Sequence, residues 1–153
     1  FMESYDWFTA EAAKRVPKPE DVHAPIWCSI SPDNCLKPIE GTVVYILEVP
    51  EDKVMYFDDV KWDYVLNRIY LPDDEEDEKA YKQHLKDIGV SNGFEFFQGR
   101  YKGMYPEEEA RIRESWKRAF RIDKWTIFNV CGNIWEIRQE WVKRIVKPGE
   151  AVK

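Results

Sequence analysis

Hydrophobic positions along the chain fall into short runs of two kinds, which predict a mixture of β-strands and α-helices. Runs rich in β-branched and aromatic residues predict strands at 25–31, 42–49, 54–57 and 124–130. The run "TVVYILEV" at 42–49 is nearly continuous, which predicts a strand buried on both faces. The polar segment 50–53 joins this run to "VMYF", so we expect the two strands to form a hairpin.

Apolar positions at helical spacing, bounded by capping residues and prolines, predict helices in four places. They are expected at 4–16, 58–71, 74–88 and 106–120. Ser4 is the expected cap of the first helix, and Asp58 or Asp59 is the expected cap of the second. The run of six carboxylates at 73–78 stands at the start of the third helix, where the helix dipole favours negative charge.

The last hydrophobic segment, "NIWEIRQEWVKRIV" at 133–146, fits two structures. On a helix its apolar residues cover about half of the surface, and Asn133 with Glu136 resembles a capping box. On a strand its tryptophans alternate with charged residues, but this alternation breaks at Val142. We favour the helix, in which Arg138 lies among apolar residues and needs an acidic partner or a path to water.

The segment 89–105 contains glycines and a cluster of aromatic residues, "FEFFQGRYKGMY", and is predicted to be a long loop. Phe96, Phe97 and Tyr101 are its candidate binding residues. So much apolar surface on a loop either packs against the body of the protein or is offered to a protein partner. The sequence leaves both alternatives open for the segment 94–105.

No repeat, linker or change of composition divides the sequence, so we expect a single α+β domain at 2–153. A small, mainly antiparallel sheet is expected to be packed by about four helices. The hydrophobic fraction of 44% is enough for a folded core. No apolar run reaches the length of about 20 residues that a membrane span requires, so no membrane partner is expected.

The cysteines and histidines argue against metal chemistry. Cys28, Cys35 and Cys131 are an odd number of thiols at irregular spacing, which is typical of reduced cysteines in a cytoplasmic protein. Their spacing does not match a zinc site, and only His23 and His84 are available as imidazole ligands, so no metal is expected. The sequence also has no glycine-rich phosphate loop followed by a lysine.

The net charge of −6 is unevenly distributed, with a local charge of +5 over 100–153 and −11 over the preceding residues. In the basic part, cations are interleaved with Trp116 and Trp125, and such a combination is used to bind nucleic acids. These cations are Arg111, Arg113, Lys117, Arg118, Arg121 and Lys124. Because Trp116 and Phe120 also fit a core stripe of a helix, nucleic acid is not a favoured partner.

Several short segments carry a resemblance to a known family. They are "YDW" (5–7), "PIW" (25–27), "LEVPEDKVMYFDDVKWDYVLN" (47–67), "SWKRAF" (115–120) and "WEIRQEWVKRI" (135–145). With these segments the chain resembles an uncharacterised bacterial family, catalogued as domain of unknown function 3841. The resemblance implies a small soluble protein without an established reaction. Family members usually have a strand and a helix ahead of the "YDW" segment, and a glutamine where this chain has Cys131.

The function that the sequence favours is protein or ligand binding, or regulation, without a cofactor. Seven tryptophans are more than a core of this size needs, and tryptophan and arginine are enriched where proteins bind partners. Trp62, Trp135 and Asp58 are therefore further candidate binding residues. Asn67 joins them because it is polar within an otherwise apolar end of the second predicted helix.

The alternative is an enzyme that resembles the ADP-ribosyltransferases, which are small, β-rich and place a glutamate on a late strand beside aromatic residues. That resemblance implies NAD as the cofactor. It also implies that Glu136 holds a ribose hydroxyl or stabilises the developing oxocarbenium charge, while Arg138 binds an anionic group. This alternative requires segment 133–146 to be extended, and it rests on analogy with another fold.

Overall fold

The computed structural model describes residues 2–153, and within them it contains four α-helices and five short strands. About 43% of the chain is helical and 14% is strand, in small antiparallel sheets, which confirms the predicted α+β class. Contacts divide the chain into two compact units. The helical unit comprises the residues through Ser4 and Asp58–Arg121, and the sheet unit comprises Tyr5–Phe57 and Ile122–Lys153. The predicted single domain at 2–153 stays a prediction.

Helices and strands occur in groups along the described residues: one helix, three strands, three helices and two final strands. The helices are α1 (Met2–Arg15), α2 (Asp59–Leu66), α3 (Glu75–Asp87) and α4 (Pro106–Ser115). The strands are β1 (Ile26–Ser29), β2 (Val44–Leu47), β3 (Met55–Asp58), β4 (Val130–Ile134) and β5 (Val142–Val146). No helix within residues 2–153 combines the length and the apolar character that crossing a membrane requires.

Aspartate side chains cap two helices of the helical unit, Asp58 as predicted and Asp74 in addition. The Asp58 side chain accepts hydrogen bonds from the backbone N–H groups of Val60 and Lys61, at 3.0 and 3.2 Å. At the start of α3, Asp74 accepts a hydrogen bond from the backbone N–H of Asp77 at 2.8 Å. Each cap satisfies donors that the first turn of a helix leaves unpaired, and the acidic run supplies the first turn of α3.

The predicted cap at Ser4 is wrong, because α1 already includes Met2 and Ser4 lies inside it. The Ser4 side chain is buried and donates a hydrogen bond to the carbonyl oxygen of Val65 at 3.0 Å. The Ser4 hydroxyl therefore bonds to the backbone of another helix and does not cap α1. Local capping signals cannot reveal this pairing, because Ser4 and Val65 are far apart in the sequence.

The core of the helical unit is centred on Trp116, which begins the 3₁₀ helix Trp116–Phe120 after α4. Its ring stacks on Phe97 with centroids 5.9 Å apart, and its Nε1 donates to the carbonyl oxygen of Ile69 at 2.8 Å. The indole therefore fills apolar space and also satisfies a backbone acceptor. The predicted helix 106–120 is confirmed, with its last turns in the tighter 3₁₀ form.

The sheet unit contains two sheets, with strand orders β1-β4-β3 and β2-β5. The hairpin predicted between β2 and β3 is wrong, because the two strands belong to different sheets and the connection contains the 3₁₀ helix Glu51–Lys53. Strand β2 was also expected to be buried on both faces. It pairs only with β5, and its Tyr45 is 48% exposed.

The helix that we favoured for segment 133–146 is wrong. The segment continues β4 to Ile134, then makes a turn with the 3₁₀ helix Gln139–Trp141, and ends as β5. Its two extended parts are fixed by pairing, since Ile134 is opposite Ile26 and Val146 is opposite Val44. Helical periodicity arises here from two short strands separated by a turn, and such pairing with distant segments is invisible in the local pattern.

The strand predicted at 124–130 is displaced toward the C-terminus, where β4 begins only at Val130. Asn129 holds the preceding residues in a turn. Its side-chain oxygen accepts from the backbone N–H of Thr126 at 3.0 Å, and its amide nitrogen donates to the carbonyl oxygen of Lys124 at 2.9 Å. Asparagine bonding to nearby backbone in this way competes with strand formation.

Candidate functional site

A cleft of about 480 Å³ lies within the sheet unit, between the three-stranded sheet and strand β2. Representative lining residues are Ile26, Cys28, Ile46, Tyr56, Gly132 and Ile134. Among the described residues that line the cleft, none is Asp, Glu, Lys, Arg or His. The cleft is therefore an apolar site whose polar groups are a few thiols and hydroxyls.

The wall of the cleft is formed by one face of the three-stranded sheet. Cys28 on β1 is opposite Gly132 on β4, so the two residues share a face. A Cβ at Gly132 would lie 3.2 Å from Cγ1 of Val54, which is a tight contact. The lack of a side chain at Gly132 allows Val54, from the segment before β3, to pack closely against β4.

Two titratable side chains that line the cleft, Cys28 and Tyr56, carry no charge near neutral pH. Burial, with smaller contributions from the neighbouring Cys131 and Cys35, raises the pKa of the Cys28 thiol to about 11. Tyr56 lines the same cleft, and its hydroxyl donates to Glu51 Oε2 at 3.1 Å. Burial, followed by the hydrogen bond to Glu51, raises the pKa of Tyr56 as well. Both groups are thus neutral, and the Tyr56 hydroxyl, whose proton is donated to Glu51, can still accept a hydrogen bond.

The two residues proposed for catalysis, Glu136 and Arg138, are brought together beside a smaller depression. Arg138 Nε donates to Glu136 Oε1 at 2.7 Å, and the guanidinium carbon lies 5.2 Å from the ring centroid of Trp141. The guanidinium therefore has the acidic partner that we expected it to need. The side chains of Glu136 and Arg138 are 45% and 47% exposed. The depression has a volume of about 120 Å³ and is also lined by Trp135 and Lys53.

Four further candidate binding residues make structural contacts. Asp58 caps α2, and Trp62 is buried in the same unit. Asn67 ends α2, where its side-chain amide donates to the carbonyl oxygen of Asp63 at 2.7 Å. In the sheet unit, Trp135 is buried and its Nε1 donates to the carbonyl oxygen of Val16 at 2.8 Å. Helix ending and core packing account for these side chains, and their binding role stays a prediction.

The aromatic segment 94–105 packs largely on the helical unit. Phe96 and Phe97 are buried, and Phe96 contacts Tyr105 edge-to-face with ring centroids 5.4 Å apart. Tyr101 is half-buried and contacts the same Tyr105 at 5.8 Å. Two 3₁₀ helices, Gly93–Phe96 and Gly99–Tyr101, form within the predicted loop. Contact between Phe96 or Phe97 and a protein partner would require this segment to move.

Acidic side chains lie next to the cations that were considered for nucleic acid. In the helical unit, Arg113 pairs with Glu3 and Arg121 pairs with Asp73. Lys117 also contacts Glu114 at 2.8 Å. Trp116, the aromatic residue nearest to them in sequence, is buried and cannot stack on bases. These pairings reduce the positive potential that a phosphate backbone would meet.

Sequence reasoning did not identify the cleft, because its lining residues come from distant segments and carry no catalytic motif. The only local signal was Gly132, a glycine inside an apolar run, which typically marks a close backbone approach in a strand. Within residues 2–153, no three His, Cys, Asp or Glu side chains are placed to hold a metal ion. The chemistry that the site offers is thus apolar contact with a few neutral hydrogen-bond donors.

Fold and cleft together define a small α+β protein with a candidate site for a neutral ligand. The chain belongs to the family described as "Domain of unknown function (DUF3841)", whose model matches residues 1–143. No curated protein and no solved structure has a significant match to the sequence. Family membership therefore confirms the resemblance that the sequence carries and assigns no reaction.

Proposed function

We propose that this chain is a ligand-binding module that takes a small, neutral, largely apolar molecule in the cleft of the sheet unit. The observation that supports this proposal is an apolar volume of about 480 Å³ without a charged residue among its described lining. Pockets for small molecules typically have volumes of about 300–1,000 Å³ and are lined mainly by apolar side chains with a few polar groups.

The absence of charge from the described lining also limits the class of ligand. A charged group that enters an apolar site loses its hydration, and without an opposite charge it recovers little of that free energy. Neutral molecules with one or two hydrogen-bonding groups avoid this cost. The hydroxyl of Tyr56 and the thiol of Cys28 are the groups that such a ligand would meet.

A titration with the neutral fluorescent probe N-phenyl-1-naphthylamine tests this function. Ile46 lies on β2 and lines the cleft, so Ile46→Trp fills the volume with a large side chain. We expect saturable binding to the unsubstituted protein and an affinity at least about tenfold weaker for Ile46→Trp, because the apolar contact area is lost.

The matched control for this titration is Val60→Trp. Val60 lies on α2 in the helical unit, is 60% exposed and does not belong to the cleft lining. We expect Val60→Trp to bind the probe as the unsubstituted protein does. Equal affinities of the two tryptophan variants, or the lack of saturable binding altogether, would contradict the proposal.

A second candidate function is the NAD-using transferase, favoured by the contact between Glu136 and Arg138 beside the buried Trp135. The two residues lie in the connection between β4 and β5, where the backbone of Arg138 is extended. Against it, the depression of about 120 Å³ is small for a dinucleotide. A thermal-shift measurement with millimolar NAD tests this alternative, since a ligand that binds the native state raises the melting temperature. An unchanged melting temperature would eliminate it.

A further inference from the structure

Two of the three cysteines lie on the same wall of the cleft. Cys28 belongs to β1, and Cys35 follows the 3₁₀ helix Pro32–Asn34. Both side chains line the cavity, both are half-buried, and both are free thiols. The third thiol, Cys131, is also a neighbour of Cys28, but it is opposite Ser29 in the β1–β4 register, on the other face of the sheet, and it does not belong to the described lining of the cleft.

The chain between the two cysteines is a closed loop. Ser29, the residue after Cys28, donates its hydroxyl to the carbonyl oxygen of Asn34, the residue before Cys35, at 2.8 Å. The loop is also fixed from outside, because the Asn34 side-chain amide donates to the carbonyl oxygen of Ile127 at 2.9 Å. Cys28 and Cys35 therefore flank a loop whose two end residues, Ser29 and Asn34, are joined by a hydrogen bond.

The local contacts of the thiols leave them able to react with each other. Cys28 Sγ contacts the carbonyl oxygen of Ile26 at 3.8 Å, and Cys35 Sγ contacts that of Leu36 at 3.4 Å. These are weak interactions that a small rotation breaks. A disulfide requires Cα atoms about 4.4–6.8 Å apart. Cys35 lies outside any helix or strand, and a disulfide requires its Cα to come within this distance of the Cα of Cys28.

We propose that Cys28 and Cys35 are a redox-responsive thiol pair, which a peroxide converts into an intramolecular disulfide that spans the Ser29–Asn34 loop. This assignment does not depend on the identity of the ligand in the cleft. Reversible disulfides of this kind serve as sensors in reducing compartments, where structural disulfides are rare.

The reaction proceeds in two balanced steps. The Cys35 thiolate attacks one oxygen of hydrogen peroxide, an S–O bond forms and the O–O bond breaks, and the departing hydroxide takes a proton to become water. Cys28 sulfur then attacks the sulfur of the resulting sulfenic acid, so that an S–S bond forms and hydroxide leaves with the Cys28 proton as a second water. Two thiols are oxidised and one peroxide is reduced.

The order of the steps follows from the protonation of Cys28. Its pKa is raised to about 11, mainly by burial, so the neutral thiol predominates near neutral pH and Cys28 is a poor first nucleophile. Cys28 therefore acts second. If its deprotonation limits the rate, disulfide formation accelerates about tenfold per pH unit from about pH 7 toward about pH 10.

Oxidation of the purified chain with hydrogen peroxide tests the proposal. Thiols are counted under denaturing conditions with Ellman's reagent, and peptides are mapped by mass spectrometry without reduction. We expect the count to fall from the three free cysteines to one, with a mapped bond between Cys28 and Cys35 and the loss of two hydrogen atoms. Reduction with dithiothreitol is expected to restore all three thiols.

The control variant is Cys131→Ser, which is expected to form the same bond and to lose both of its remaining thiols. Cys35→Ser is expected to retain its two thiols without an intramolecular bond. Should either variant fold poorly, as judged by circular dichroism, the map of the unsubstituted protein still decides. Persistence of three thiols, a bond that includes Cys131, or a bond between two chains would overturn the proposal.

Discussion

Trp116→Ala is expected to lower the free energy of unfolding by about 3–5 kcal/mol, which is typical of a large buried aromatic residue. Trp116 is 1% exposed, its ring stacks on Phe97, and its Nε1 donates to the carbonyl oxygen of Ile69. The substitution creates a cavity and also removes the hydrogen bond to Ile69. Denaturant unfolding followed by circular dichroism measures the change.

Trp125→Ala is the matched control for this substitution. Trp125 is largely exposed and contacts Tyr56 edge-to-face with ring centroids 4.9 Å apart. We expect a loss under about 1 kcal/mol, because most surface substitutions have small effects on stability. Similar losses at Trp116 and Trp125 would show that the core of the helical unit is not centred on Trp116.

Asn133→Leu is expected to raise the free energy of unfolding by about 1–3 kcal/mol, the usual penalty for a buried polar group without a partner. Asn133 is 0% exposed, and neither its side-chain oxygen nor its side-chain nitrogen has a hydrogen-bond partner among the described residues. Leucine has a similar size and removes both polar atoms. The backbone pairing with Trp27 on β1 does not depend on the side chain.

Asn129→Leu is the matched control, because it makes the same change from asparagine to leucine at a residue with hydrogen-bond partners. The Asn129 side chain makes hydrogen bonds to Thr126 and Lys124, so its loss is expected to destabilise the protein by about 1 kcal/mol. Opposite signs for the two substitutions would confirm the account. A destabilised Asn133→Leu variant would contradict it, and would indicate that the Asn133 amide has a partner in solution.

Features of the fold with local causes could be predicted from the sequence. Asp58 caps α2 as expected, because a capping side chain bonds to residues only two or three positions away. The pairing of the strands could not be predicted. Strand β2 is close to β3 in the sequence but pairs with β5, which lies near residue 153. No local pattern distinguishes these two possible partners.

The difference between local and long-range contacts also determines which features of the candidate sites could be predicted. Glu136 and Arg138 are two positions apart in the connection between β4 and β5, where their side chains form an ion pair. Asn67 is polar at a helix end, where its side-chain amide donates to the carbonyl oxygen of Asp63, and its binding role stays a prediction. The cleft depends on how β1, β2 and β4 assemble, and this is a property of the sheets that single residues do not reveal.

An amide NMR titration with N-phenyl-1-naphthylamine tests most directly whether the cleft of the sheet unit holds a neutral ligand. We expect the largest chemical-shift changes at Cys28, Ile46 and Gly132, which line the cleft on three different strands. Changes concentrated at 94–105 or at Glu136 and Arg138, with the cleft residues unaffected, would contradict this expectation.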